Sequence, residues 1–207
     1  MCGRYYADDE TVKEIKKLVW QIDDAHGSRA VAALDGVKAG DVFPGCKGLV
    51  LSVENGTVCC GWQQWGFLKQ WELDSPQNKK LVINARSESV MEKPMFCESI
   101  LHNRIVIPAA GFYEWNARRE KSTFRRMDAS VLFMAGCARR YEDGMRFVIL
   151  TTLANASMEQ VHDRMPLILE PEEAAGWLLD DAAVEGILRK TPCLLGRETD
   201  YEQMSLF

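Results

Sequence analysis

Two apolar segments that meet at Asn55-Gly56 constrain the fold of this chain most strongly. Residues 49–54 and 57–62 are rich in Leu, Val and other residues that favour buried β-strands. Asn-Gly readily adopts the left-handed backbone of a two-residue type I′ turn, and that turn joins antiparallel strands. The sequence therefore predicts a β-hairpin at this point.

The remaining apolar patterns predict further short strands and a smaller number of helices. Strands are predicted over residues 81–84 and 104–108, and a second hairpin is predicted to join 131–138 to 146–152. Helices are predicted over residues 9–23, 95–101, 157–162, 172–179 and 182–190. This order, without repeats or linkers rich in Gly, Ser or Pro, indicates a single α+β domain with mixed or antiparallel sheets.

Composition argues against several classes of protein. The chain has no apolar run near 18 residues and no leader of basic then apolar residues, so we expect a cytoplasmic protein without a membrane partner. Seven cysteines, an odd number without a C-x-x-C pair, predict a reduced protein. Three histidines scattered among them argue against a zinc site. No disulfide framework, metal site or cofactor is expected.

The charge balance leaves nucleic-acid binding undecided. A net charge of −5 argues against a protein that binds nucleic acid over its whole surface, because phosphate contacts need clustered Lys and Arg. Net charge says little about any one face, so a local basic groove remains open.

Cys2 directly follows the initiator methionine, and a small residue there normally allows that methionine to be removed. The mature chain would then begin with an α-amine that titrates near about 7.7–8.0 and a thiol that titrates near about 8.5. No internal cysteine offers both nucleophiles. Termini usually carry no chemistry, so position alone favours an incidental cysteine.

Three polar residues in apolar or turn-like settings are candidates to act with Cys2. Asn84 ends an apolar run, Glu114 lies among three aromatic residues, and His162 closes a predicted helix. An aromatic neighbourhood keeps water from a carboxyl group, and histidine is suited to proton transfer near neutral pH. Each residue also has an ordinary structural explanation. Asn84 fits a strand-end amide, Glu114 an outward-facing strand residue, and His162 a capping or core histidine. With Cys2 they form a plausible nucleophile, orienter, acid and base.

Arginine and tryptophan residues form a second set of candidates. Arg86 and Arg164 follow Asn84 and His162 by two residues, and forked guanidinium groups bind phosphates or carboxylates. The nearby tryptophans are Trp62, Trp65 and Trp71. Core packing is their ordinary role, whereas an exposed tryptophan beside arginines would stack on nucleobases.

Five short motifs occur in the same order as in one known family. They are Met1-Cys2-Gly3-Arg4-Tyr5, Trp65-Gly66-Phe67, Asn84-Ala85-Arg86-Ser87-Glu88, Pro108-Ala109-Ala110-Gly111-Phe112-Tyr113-Glu114-Trp115 and His162-Asp163-Arg164-Met165-Pro166. On these residues the chain resembles the SRAP family, the SOS-response-associated peptidase or abasic-site processing proteins. The matches run from residue 1 to about residue 179.

The resemblance implies one SRAP-like domain over residues 1–207, with Met1 removed and with sheets that form an open barrel-like core flanked by helices. It implies a DNA-repair protein that senses abasic sites in single-stranded DNA and crosslinks itself to the ring-opened aldehyde, a lyase-like activity. The α-amine of Cys2 would attack the aldehyde and its thiol would close a thiazolidine ring. The protein is expected to be a monomer that joins the nucleoid when bound to damaged DNA.

The resemblance also implies a role for the other reacting candidates. Asn84 would hold the Cys2 terminus, and Glu114 would shuttle protons during Schiff-base formation. His162 would act on the sugar oxygen in ring opening and in reversal of the crosslink.

DNA contacts are implied at four further positions. Arg86 and Arg164 would bind flanking phosphates with help from Arg4, and Trp65 would belong to an aromatic wall beside the bent strand. Because the chain is acidic, we predict a basic groove around the three arginines. Two segments, Asn103-Arg104-Ile105 and Ser122-Thr123-Phe124, depart from the family pattern without touching this chemistry.

Two other functions stay open. A cysteine peptidase or amidohydrolase would use the Cys2 thiol with His162 and Asn84, in an arrangement that resembles Cys-His-Asn hydrolases, and would include removal of Met1. A plain single-stranded DNA binding module would leave Cys2 incidental.

Overall fold

The computed structural model describes residues 2–22, 39–69 and 80–199. The strands in these residues are β1 (Arg4–Ala7), β2 (Gly40–Val42), β3 (Lys47–Glu54), β4 (Thr57–Trp65), β5 (Asn84–Arg86), β6 (Arg104–Ala109), β7 (Gly111–Trp115), β8 (Lys121–Arg125), β9 (Leu132–Tyr141), β10 (Gly144–Leu153), β11 (Arg164–Pro166), β12 (Ile168–Leu169) and β13 (Gly196–Thr199). The α-helices in the same residues are α1 (Asp9–Ile22), α2 (Pro94–His102), α3 (Pro171–Leu179) and α4 (Val184–Arg189). The 3₁₀ helices that the described residues contain span Ser87–Glu92 and Asp181–Ala183.

Five strands close into a barrel in the order β10-β4-β3-β6-β9, and β9 pairs back to β10. Closure gives each of these strands a neighbour on both sides. β5 also pairs with β10, while β11 and β12 extend the sheet beside β10 and β9. The predicted α+β class with a barrel-like core is confirmed, and the ring is closed.

A separate antiparallel sheet carries the N-terminal strand. Its order is β13-β8-β7-β1-β2. β1 and β7 pair so that Arg4 lies opposite Tyr113 and Tyr5 lies opposite Phe112. This register directs the residues before β1 along the end of β7, where Trp115 is the last strand residue.

The first predicted hairpin is confirmed. β3 and β4 pair from Lys47 with Gln64 to Glu54 with Thr57. The two turn residues have positive φ angles, 52° at Asn55 and 77° at Gly56. A type I′ turn requires this backbone, and glycine adopts it without the clash that a Cβ would cause.

Barrel strands place alternate residues in two apolar clusters. On β10, Val148 packs in the cluster that includes Trp177 of α3, whereas Phe147 packs in the cluster that includes Tyr5 and Phe112. All five side chains are fully buried or nearly so, and burial of a large apolar side chain contributes about 1.5–3 kcal/mol. The barrel is therefore anchored to helices through one cluster and to the five-stranded sheet through the other.

The helix predicted over residues 157–162 is wrong, because the chain forms successive turns there. The Asn155 side chain accepts hydrogen bonds from both the backbone N–H and the hydroxyl of Ser157. Such side-chain bonds compete with helical ones. The strand predicted over residues 81–84 is displaced to Asn84–Arg86, and residue 23 of the first predicted helix lies outside the described residues.

Among the described residues, no helix is long and apolar enough to span a bilayer.

Candidate functional site

Cys2 lies two residues before the start of β1, and its side chain is 1% exposed. Asn84 on β5 donates a hydrogen bond of 3.0 Å from Nδ2 to the carbonyl oxygen of Cys2. Since β1 belongs to one sheet and β5 pairs with the other, this bond joins the two sheets. The Oδ1 atom of Asn84 is buried and has no hydrogen-bond partner within the described residues, so Asn84 retains one acceptor at the junction.

Strand register brings Glu114 to the same segment. Continuing the pairing of Arg4 with Tyr113 by one residue places Gly3 opposite Glu114. The Glu114 side chain is 4% exposed, and its Oε1 accepts a hydrogen bond of 3.2 Å from the backbone N–H of Trp115. β7 thus presents a buried carboxyl group to the residues that precede β1.

The Cys2 thiol is protonated at neutral pH. Burial, and then the negative charge of Glu114, raises the pKa of this thiol to about 12. Its Sγ makes a weak hydrogen bond of 3.7 Å to the carbonyl oxygen of Arg4. Any reaction at sulfur therefore needs a group that receives the thiol proton.

The strands that carry Arg86 and Arg164 flank β10 at one end of the barrel. Arg86 of β5 lies opposite Thr151 on one side of β10, and Pro166 of β11 lies opposite the same residue on the other side. Neighbouring strands are about 4.8 Å apart, so β5 and β11 run roughly 10 Å from each other. The strands that carry Asn84 and Arg164 therefore border one region.

The His162 ring is oriented by the two residues that follow it. Its Nδ1 lies 2.9 Å from the backbone nitrogen of Arg164 and 2.8 Å from Oδ1 of Asp163. The neutral ring can accept from the amide N–H, in which case its proton is on Nε2. The protonated ring can instead donate to the Asp163 carboxylate.

The phosphate contact predicted for Arg164 does not fit its position, because the side chain is buried at 6% exposure. Its guanidinium donates bonds of 2.7 and 2.9 Å to the Glu88 carboxylate and one of 2.6 Å to the carbonyl oxygen of Thr151. A DNA phosphate would have to displace Glu88. The sequence prediction gave Glu88 no role, although it ends the motif that begins at Asn84.

The basic groove predicted around three arginines is partly neutralised. Arg4 lies 3.6 Å from Asp41, and Arg164 is paired with Glu88. Arg86 is exposed and forms no ion pair within the part of the chain that the structure describes. Of the three arginines, Arg86 is therefore the one whose exposed charge is not neutralised by an ion pair among the described residues.

Three rings surround the Arg4 guanidinium and form what we call the aromatic cage. The distances from the guanidinium carbon to the ring centroids are 4.5 Å for Phe43, 5.7 Å for Tyr113 and 5.2 Å for Trp115. Cation–π contacts of this kind hold both partners in place. Phe43 is 41% exposed, so the cage offers a ring face at the surface near Cys2.

The place predicted for Trp65 in an aromatic wall does not fit, because the side chain is fully buried. Its ring stacks on Phe147 with centroids 6.2 Å apart, and Nε1 donates a bond of 2.9 Å to the carbonyl oxygen of Ile83. Trp65 therefore supports the residue before β5. Trp62 is 41% exposed, and Trp71 lies outside the described residues.

The groups at this site suit nucleophilic addition and proton transfer. Cys2, Glu114 and Asn84 contribute a thiol, a carboxyl group and an amide. The imidazole of His162 lies two residues before β11, which flanks β10 on the side away from β5. Across residues 2–22, 39–69 and 80–199, no three His, Cys, Asp or Glu side chains form a group that could hold a metal ion.

The chain is similar to known proteins over nearly its whole length. A profile of the family described as SOS response associated peptidase (SRAP) matches residues 1–202. Abasic site processing protein YoaM of Bacillus subtilis is 34% identical over 127 residues, which cover 57% of this chain and 56% of that protein. Abasic site processing protein YedK of Escherichia coli is 31% identical over 145 residues, which cover 67% and 63%. The chain thus spans 56% and 63% of the lengths of these curated relatives.

Solved structures share the fold. A protein from Bacteroides thetaiotaomicron superposes with a TM-score of 0.73 at 23% identity, over 96% of this chain and 91% of that one. A phage-related protein from Bordetella bronchiseptica superposes with a TM-score of 0.74 at 22% identity, over 96% and 93%.

Proposed function

Because this chain belongs to the SRAP family, we propose that it captures abasic sites in single-stranded DNA as a covalent thiazolidine formed by Cys2. The observation that carries the proposal is the position of Cys2, bonded to Asn84 and close enough to Glu114 for its charge to act on the thiol. Relatives in this family are named abasic site processing proteins. Their names support the substrate, and the Cys2 site supports the chemistry.

Removal of Met1 would give Cys2 the free α-amine that the reaction needs. The amine adds to the C1′ aldehyde of the opened sugar and loses water, which leaves a C=N bond. The Cys2 sulfur then adds to that carbon, the π electrons pass to nitrogen, and Glu114 carries the thiol proton to nitrogen. One water is released in total, and the product is a five-membered thiazolidine ring.

The geometry supports a role for each reacting residue. Asn84 holds the Cys2 carbonyl, and its buried Oδ1 would accept a hydrogen bond from the freed amine. Glu114 would receive the proton of a thiol whose pKa is raised. His162 would use Nε2 on the sugar oxygen, because Nδ1 accepts from the Arg164 amide. One chain supplies all of these groups, so we propose that a monomer acts.

Contact with DNA would rest on Arg86 and on the aromatic cage. Exposed Arg86 would bind a phosphate, and the exposed Phe43 ring would stack on a base that flanks the abasic site. Arg4 would hold the cage in place. Arg164 would act indirectly, through the residues that it contacts, and would not bind a phosphate itself.

The raised pKa of Cys2 disfavours a cysteine peptidase. Such an enzyme activates its thiol through an adjacent general base or through a lowered pKa, which neighbouring positive charge or an imidazolium produces. Here burial and the Glu114 charge act in the opposite direction. The site therefore favours an α-amine that reacts first and a thiol that reacts second.

A denaturing gel tests the proposal. The purified protein is mixed with single-stranded DNA that carries one abasic site, and we expect a heat-resistant band that Cys2→Ala abolishes. Cys46→Ala is the matched control, because Cys46 is an exposed internal cysteine and its loss should leave the band unchanged.

Two results would overturn it. Absence of the band together with Cys2-dependent cleavage of a peptide or of glutamine would indicate a hydrolase. Absence of the band together with salt-sensitive DNA binding that Cys2→Ala leaves intact would indicate a plain binding module.

A further inference from the structure

The Glu88–Arg164 pair connects the 3₁₀ helix after β5, the strand of Asn84, to the start of β11, two residues after His162. Glu88 lies at the start of the 3₁₀ helix that follows β5, two residues after Arg86. Both of its carboxylate oxygens accept from the Arg164 guanidinium, at 2.7 and 2.9 Å. A parallel two-bond geometry of this kind fixes orientation as well as distance.

The Arg164 guanidinium also bonds to β10. It donates 2.6 Å and 3.3 Å bonds to the carbonyl and hydroxyl oxygens of Thr151. The Thr151 hydroxyl in turn donates to the carbonyl oxygen of Ala85 at 3.4 Å, next to Asn84. Glu88 thus completes a network that spans β5, β10 and β11.

The backbone of Arg164 supplies the hydrogen bond that orients His162. Its N–H lies 2.9 Å from Nδ1 of the ring, while Oδ1 of the exposed Asp163 lies 2.8 Å from the same atom. The two neighbours favour different states, since the amide N–H requires a bare Nδ1 and the carboxylate requires a protonated one. The state of the ring depends on which neighbour is held more firmly.

We propose that Glu88 is a positioning residue that, by holding Arg164 inside the fold, keeps the Arg164 amide directed at His162 and its ring proton on Nε2. The inference rests on the proposed function, because it concerns the nitrogen that would serve the sugar oxygen. Without Glu88 the Arg164 guanidinium would be a buried charge without its carboxylate, and an uncompensated buried charge destabilises the arrangement that holds it. The amide would then lose its fixed direction, and Asp163 would compete for Nδ1.

Nitrogen NMR of the imidazole rings tests the inference without DNA. The chain has three histidines, and His162→Gln assigns the signal of interest. We expect the Nε2–H tautomer in the wild type at neutral pH, and a mixture or a shift toward Nδ1–H in Glu88→Gln. Glu92→Gln is the matched control, since Glu92 is exposed on the same 3₁₀ helix and should keep the wild-type pattern.

Crosslinking kinetics give the second readout. Glu88→Gln should slow single-turnover crosslinking by about 10-fold, a partial loss of the roughly 10²- to 10⁴-fold that general acid–base catalysis supplies, while affinity for intact single-stranded DNA changes less than about 2-fold. Arg164→Lys keeps the charge but loses the fork, so it should show the same effect.

Three outcomes would overturn the inference: an Nδ1–H tautomer in the wild type, an unchanged tautomer in a folded Glu88→Gln, or DNA binding tightened several-fold by that change. The last would mean that Glu88 competes with phosphate for Arg164. An Nδ1–H tautomer in the wild type would overturn the inference even where both variants fail to fold. Failure of the wild type to crosslink, with the expected tautomer, would instead count against the proposed function.

Discussion

Asn84 donates a hydrogen bond of 3.0 Å to the carbonyl oxygen of Cys2, a residue 82 positions earlier in the chain. The bond ties the segment before β1 to a strand of the barrel sheet. A chain terminus ordinarily frays, and a reaction that uses both groups of a terminal residue needs that residue fixed. This contact gives Cys2 a defined position.

Asn84→Ala should slow crosslinking by roughly 2- to 10-fold. A hydrogen bond contributes about 0.5–1.5 kcal/mol, and roughly 1.4 kcal/mol corresponds to tenfold in rate. The measurement is the single-turnover rate with excess protein. Asn103→Ala removes an exposed amide and should leave the rate unchanged, whereas equal rates for Asn84→Ala and the wild type would contradict the role of this bond.

Glu114→Gln should lower the pKa of the Cys2 thiol. The Glu114 charge contributes, after burial, to a pKa of about 12, and removal of a neighbouring negative charge favours the thiolate. The alkylation rate of the Cys2 peptide, followed by mass spectrometry, should therefore rise at a lower pH in the variant than in the wild type. Burial persists, so the pKa should stay above its ordinary value.

Glu120→Gln is the control for that experiment, because Glu120 is held in a separate turn by Asn116. Its profile should match the wild type. An unchanged or upward-shifted profile for Glu114→Gln would show that Glu114 does not act on the thiol.

Phe43→Ala should weaken binding to single-stranded DNA by about 10-fold. Stacking of a base on an aromatic ring contributes about 1–3 kcal/mol, and Phe43 is the exposed ring of the cage. Fluorescence anisotropy with an intact oligonucleotide measures the change. Trp62→Ala removes a ring with the same 41% exposure that lies outside the cage, and a larger loss for Trp62→Ala would place the stacking surface elsewhere.

The stability that Glu88 provides should disappear on acidification. Arg164 holds the pKa of Glu88 below its usual range, so the folded state binds the proton less readily than the unfolded state. The contribution is present above the ordinary value of about 4.3 and is lost as pH falls through the lowered folded value.

Melting temperatures between pH 3 and pH 7 test this dependence. The wild type should melt above Glu88→Gln near neutral pH, and the difference should shrink as the pH falls below about 4.3. The difference in melting temperature between the wild type and Glu92→Gln should not change in this way over the same pH range. A gap between the wild type and Glu88→Gln that widens on acidification would contradict the assignment.

Local turn chemistry explains which parts of the fold were predictable. The hairpin at Asn55-Gly56 follows from two residues that accept a positive φ. The helix predicted over residues 157–162 was wrong because a neighbour outside that window, Asn155, bonds to Ser157. Closure of the barrel depends on the pairing of β9 with both β6 and β10, and apolar alternation does not specify which strands meet.

The candidate site also has parts that the sequence predicted and parts that it did not. Cys2, Asn84, Glu114 and His162 were expected to act together. The structure places Asn84 and Glu114 beside Cys2, whereas His162 lies before β11, across β10 from the strand of Asn84. The burial of Arg164 could not be predicted, because its partner Glu88 lies 76 residues away. The burial of Trp65 depends on contacts across the barrel sheet, which sequence proximity to other tryptophans does not reveal.

The intact mass of the crosslinked product tests the central claim most directly. After reaction with a single-stranded oligonucleotide that carries one abasic site, the account predicts one product: the chain without Met1 plus the oligonucleotide, minus one water. Cys2→Ala should give none of it. A product that retains Met1, or an equal yield from Cys2→Ala, would contradict a thiazolidine formed by the α-amine and thiol of Cys2.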